Sequence, residues 1–129
     1  MRALIDATVL QLPATGVAKV VVELYRAARN LAPGLHTVAL HRLPLASPPP
    51  LEMRPLQIAP WLSPTLWRRL TVPGVALSWR PHIVHFPWNG HVPWLPKGPL
   101  IVTTIHDVLP LVIPNHFEFA GAERKYRER

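Results

Sequence analysis

The chain has no cysteine, few acids, few glycines and no long apolar run, and each shortage removes a class of function. Without cysteine there is no disulfide framework and no thiolate zinc site, which leaves histidine as the main side chain able to hold a metal. The seven histidines stand at 36, 41, 82, 85, 91, 106 and 116, with no H-E-x-x-H or comparable pair, so neither a metal nor a cofactor is expected. The six glycines form no G-x-G-x-x-G, and the dinucleotide fingerprint is absent with them. No apolar stretch approaches the ~18 residues of a membrane span, and Asp6 interrupts the apolar amino end, which makes it a poor signal peptide. A cytoplasmic chain without a transmembrane segment is expected, with peripheral contact at a membrane left open.

What is present sets the frame. At 129 residues, residues 1–129 form one domain, long enough for a single core. An apolar share of 49% against 16% charged argues for a folded chain, and seventeen prolines imply many fixed corners. Fourteen Lys and Arg against seven Asp and Glu give a formal charge of +7, a balance that attracts phosphates. Arg68-Arg69 and the tail residues Arg124, Lys125, Arg127 and Arg129 read as solvated helix faces, and a nucleic-acid partner is not expected.

The stretch from Leu100 to Pro114 organises the reading. Its β-branched run reads as a fully buried strand, ends in His106-Asp107, and meets prolines that forbid its continuation. Ligands of an open α/β sheet bind outside the carboxyl ends of the strands, which makes His106 and Asp107 candidates for chemistry. Equally, Asp107 can cap the next turn and His106 can be a satisfied structural histidine.

Elsewhere, Ala3 to Ala7 reads as a short buried strand at the centre of the sheet. Thr15 caps a helix whose apolar stripe is Val17, Val20, Val21, Leu24, Ala28 and Leu31, and Pro33-Gly34 ends it. The amino end of that helix, at Gly16, offers free N–H groups to an anion; a tight strand-to-helix turn explains the glycine as well. His36 to His41 reads as a strand, the Ser47-Pro-Pro-Pro50 connector as extended, and Arg54 to Ile58 as an edge strand on account of Pro55. Ser63-Pro64 starts a helix from Thr65 to Leu70, framed by Trp61 and Trp67, a pair that reads as packing or, with Arg68 and Arg69 beside it, as a lipid- or acceptor-facing patch. His82 to Phe86 is a further buried strand, followed by a wide loop through Asn89, and Asn115 caps a final helix from about His116 to Arg129. The order β-α-β-β-α-β-β-α predicts an α/β fold: an open, mostly parallel Rossmann-like sheet with helices on both faces.

Leu4-Ile5-Asp6-Ala7, Thr15-Gly16-Val17-Ala18-Lys19, Ile83-Val84-His85 and above all Val102-Thr103-Thr104-Ile105-His106-Asp107-Val108-Leu109-Pro110-Leu111 with Pro114 together resemble the amino-terminal domain of family 4 glycosyltransferases of the GT-B fold. Those enzymes transfer a sugar from a nucleotide-sugar donor with retention, and the subgroup in question is similar to mannosyl- and rhamnosyl-transferases. The resemblance covers nearly the whole chain and implies an incomplete amino-terminal domain, because the family's nucleotide-binding residues and paired glutamates lie in a second domain. By resemblance, His106 and Asp107 are catalytic: His106 lines the cleft against the donor sugar and Asp107 orients the turn. Gly16 and Val17 face the acceptor or the donor phosphate, and His85 and Asn89 line the acceptor side.

Two readings follow. In one, the chain is the acceptor-side part of a retaining glycosyltransferase, inactive alone, taking a nucleotide-sugar donor only with a complementary carboxyl-terminal half and a sugar or lipid-linked acceptor. In the other it is a non-catalytic binding or assembly module that keeps the fold. A phosphate- or nucleotide-binding protein of flavodoxin-like form is a third, against which the absent Gly-rich fingerprint speaks. The apolar strand from Leu100 to Ile105, with no internal proline or charge, also predicts a homo-oligomer built by edge pairing or by exchange of the terminal helix.

Overall fold

A computed structural model of the chain describes residues 1–12, 15–46, 53–88 and 92–106. The strands β1 (Arg2–Asp6), β2 (His36–His41), β3 (Met53–Gln57), β4 (Ile83–Phe86) and β5 (Leu100–Thr103) form one sheet in the order β3-β2-β1-β4-β5. Every pairing is parallel, with Ile5 beside both Ala39 and His85, and Phe86 beside Thr103. The chain therefore builds outward from β1 to β3 on one side and returns to build β4 and β5 on the other. The expected open parallel sheet is what the described residues form.

β1 is central because Ala3, Leu4 and Ile5 are apolar toward both faces, and all three are buried. Alternation along the strands divides the core in two. Ala3, Ile5 and Ala39 meet the helix α1 (Gly16–Leu31) through Val21 and Tyr25. Leu4, Val38, Leu40, Val84 and Phe86 meet the helix α2 (Pro64–Trp79) through Trp67, Val72 and Ala76. The two helices thus cover opposite faces. Neither is long and apolar enough to cross a membrane, nor is any other described helix.

Local signals account for most boundaries. Thr15 caps α1 through Ala18 N (3.2 Å), and Ser63 caps α2 through Leu66 N, with Pro64 at its first position. Pro55 stands in β3, the edge strand where a missing N–H does least harm.

Four expectations need correction. A 3-10 helix, Ala7–Gln11, follows β1 directly, because the Asp6 carboxylate accepts from Thr8 N and turns the chain. α2 runs far past Leu70 and through Pro73; burying Val72, Pro73 and Ala76 against the sheet outweighs the roughly 3 kcal/mol that an interior proline costs. α1 is rotated from its expected stripe. Val20, Leu24 and Leu31 are exposed, while Val21 and Tyr25 are buried, with Ala18, Val22 and Ala28 packed beside them. Finally, β5 is not a buried strand: all four of its residues are exposed, since β4 is its one neighbour among the described residues. The connector at residues 47–52, Asn89, Asp107 and the helix expected over 116–129 lie outside the described residues.

Candidate functional site

In an open parallel sheet the crevice opens at the carboxyl ends of the strands where the winding direction reverses, here between β1 and β4. Two polar assemblies stand at that end. The first is built on Asp6, the last residue of β1, whose side chain is fully buried. Its Oδ1 accepts from Thr8 N (3.1 Å) and Thr8 Oγ1 (2.7 Å); its Oδ2 accepts from Arg68 Nε (3.1 Å) and Trp88 Nε1 (3.2 Å). A buried carboxylate survives only when paired and hydrogen-bonded, and four donors meet that condition.

The consequence falls on Arg68. Its guanidinium lies over the Trp88 ring, 3.9 Å from the centroid, and a further bond runs from Nη2 to Thr8 Oγ1 at 3.0 Å. A cation–π stack on one side and an ion pair on the other hold a long side chain in a single pose. Cavities of about 390 and 320 Å³ are both walled by Arg68 and Trp88. The larger one takes in Pro64, Arg42 and Gln11, whose buried Nε2 has no partner among the described residues. The smaller takes in Thr65, Arg69 and Pro93. A flat indole beside a fixed guanidinium and an amide donor with no described partner is chemistry suited to a sugar or another polyhydroxylated ligand.

The second assembly joins α1, β4 and the segment after β5. Tyr25 Oη lies 2.8 Å from His85 Nδ1, and His85 Nε2 lies 2.8 Å from Thr104 Oγ1. Burial lowers the His85 pKa below its ordinary value, and the neighbouring His106 lowers it further. Burial also pushes the Tyr25 hydroxyl up, so both groups stay neutral. A neutral imidazole donates at one nitrogen and accepts at the other, and a hydroxyl at each end satisfies either arrangement. Thr104 N also donates to Phe86 O (3.0 Å), which fastens the end of β5 to β4. His106 Nε2–H donates to the Pro87 carbonyl (3.0 Å), orienting the ring at the same end of the sheet.

Of the residues singled out in the sequence, His85 and His106 are therefore brought to adjacent strand ends. His85 is buried behind Thr104 rather than lining an open acceptor surface. Gly16 and Val17 stand at the same end, because α1 follows β1 and the 3-10 helix in the crossover to the parallel strand β2 and so begins at the carboxyl end of the sheet. A side chain at Gly16 would meet nothing within 4 Å, and its φ is ordinary, so neither crowding nor backbone strain requires glycine there. Asp6, Trp88, Tyr25 and Thr104 were not expected as site residues, and the sequence suggests Arg68 only as one side of a lipid- or acceptor-facing patch with Trp61 and Trp67. Arg68 in particular is not part of a solvated face, since Asp6, Thr8 and Trp88 engage it. The available signal was a single acid at the end of an apolar strand, which needs a cation from elsewhere in the chain. Among the described residues no group of three or more His, Asp or Glu is placed to hold a metal. No protein-family model, no curated protein and no solved structure matches the chain.

Proposed function

We propose that the chain is the acceptor-side part of a retaining glycosyltransferase similar to mannosyl- and rhamnosyl-transferases, working with a complementary half that binds the nucleotide-sugar. The observation that carries this reading is the Val102–Pro114 block with His106-Asp107; the parallel pairing of β4 with β5, which leaves His106 near His85 at the carboxyl end of the sheet, one strand from the switch point, supports it. In this reading His106, oriented by the Pro87 carbonyl, lies against the donor sugar; it hydrogen-bonds a hydroxyl or steadies charge at the reacting carbon. The acceptor lies along Trp88 and Arg68, and Gly16 and Val17 present the amino end of α1 to a phosphate.

The test is release of nucleoside diphosphate from a panel of nucleotide-sugars, by the chain alone and with the donor-binding half of a family 4 enzyme. No turnover is expected alone, and turnover is expected with the half present. His106→Ala should then lower kcat about a hundredfold, on the order of 3 kcal/mol, with acceptor KM little changed. Turnover by the pure chain, or unchanged kinetics in the variant, contradicts the reading.

A second copy of the chain is the partner proposed for β5, whose Leu100, Ile101 and Val102 are 70%, 52% and 43% exposed on a strand that has β4 as its one neighbour among the described residues. Sedimentation at micromolar concentration should give a dimer that Ile101→Lys dissociates; a monomer of 14.5 kDa in the parent chain sinks the idea.

A further inference from the structure

We propose that the opposite, amino-terminal edge of the sheet holds a separate binding site for a phosphate-bearing ligand with two or more negative charges. A cavity of about 470 Å³ opens there, larger than either of those beside Trp88, and Arg2, Arg29, His36, Arg54 and Trp79 line it. That volume falls within the range of small-molecule pockets.

The sequence pattern places these cations together. Even-numbered residues of β1, β2 and β3 face α2, so Arg2 and His36 share the face that holds Leu4, Val38 and Leu40, and Arg54 shares it with Leu56. Arg2 pairs in register with His36, and Arg54 with Val38 one strand further out. Two of the guanidiniums are already positioned. Arg2 lies over the Trp79 ring, 5.8 Å from its centroid, and Arg29 Nη1 donates to the Leu35 carbonyl (2.9 Å).

No described carboxylate lines the cavity. Asp6 stands at the other end of β1, bound to Arg68, and Glu23 is paired with Arg26 on α1. Arg2 on β1, Arg54 on β3 and Arg29 on α1 bring three guanidiniums around one cavity, and their mutual repulsion is an unfavourable term that a bound anion would reverse. Guanidinium groups present forked N–H donors that match the oxygens of a phosphate, and several together favour a multiply charged one over a single carboxylate. Arg2 stands about 13 Å along β1 from Asp6, four residue rises of roughly 3.3 Å. A ligand here does not compete for the cleft.

Isothermal titration calorimetry of the full chain with inorganic pyrophosphate tests the soluble form of this ligand. Co-flotation with phosphatidylcholine vesicles, with and without phosphatidic acid, tests the lipid headgroup form. Saturable binding to pyrophosphate, or flotation only when phosphatidic acid is present, is expected and identifies the source. Arg54→Gln should weaken that binding about tenfold or more, and Arg2→Gln should add to it. Arg26 does not line the cavity and is already paired with Glu23, so Arg26→Gln should change binding less than twofold. Because Arg54 is exposed, its replacement leaves the core intact, which far-UV circular dichroism checks. No binding in either arm, equal weakening by Arg26→Gln, or binding indifferent to Arg54 and Arg2 overturns the proposal.

Discussion

The two ends of the sheet solve the same electrostatic problem in opposite ways, and β1 carries both solutions, with Asp6 at one end and Arg2 at the other. At the carboxyl end the charged and buried polar groups are largely answered from within the protein. Asp6 has four donors, Arg68 has an acid and an indole, and His85 has a hydroxyl on each nitrogen. At the amino end the cations gather around a cavity that no described acid lines. The first arrangement is preorganised, and its polar atoms can direct a neutral, hydroxyl-rich ligand without moving. The second is incomplete by itself and calls for an anion from outside.

That contrast can be broken from the carboxyl end. Asp6→Ala should have the largest effect, because it strands Arg68, Trp88 Nε1 and Thr8 together; about 3 kcal/mol of stability should be lost in urea unfolding, the low end for a buried pair because Arg68 is partly exposed. A loss below about 1 kcal/mol would mean that the carboxylate is no more than a surface partner.

A smaller effect is expected one strand over. Tyr25→Phe removes the hydroxyl from His85 Nδ1 and leaves a buried ring nitrogen unsatisfied, which costs about 1 to 2 kcal/mol. The same histidine sharpens the comparison through pH. Its folded pKa lies below its ordinary value of 6.5, so under acid conditions the unfolded chain takes up a proton that the folded chain refuses. Stability from this group is therefore present above pH 6.5 and is lost as pH falls toward the folded pKa. His85→Gln should make the decline between pH 7.5 and 5.5 shallower than in the parent; an equal slope in both would assign the pH dependence to other groups.

How much of this was readable in advance depended on the sequence separation of the partners. Thr15 and Ser63-Pro64 announced their helices because caps act within three residues, and Pro55 marked an edge strand because a missing N–H is a local fact. The two histidines at the ends of β4 and β5 were legible for a similar reason: strand-end position can be read without knowing the neighbours. The Asp6–Arg68 pair spans 62 residues, and no local pattern selects Arg68 over Arg69. Helical period alone did not choose between the Leu24 and Tyr25 faces of α1. Burying Tyr25 places its hydroxyl against His85, a partner 60 residues away. Continuation of α2 through Pro73 was likewise decided by the sheet beneath it, and the exposure of β5 by its place at the edge of the strands described.

The most direct test of the central claim, that the carboxyl end is the sugar-facing end, is an NMR titration of the labelled chain with methyl mannoside and methyl rhamnoside. The account predicts shifts at the Trp88 indole N–H and at the backbone of Thr104 and His106, with Arg2, His36 and Arg54 unmoved. Shifts confined to that amino-terminal group, or an unchanged spectrum at saturating sugar, would contradict it.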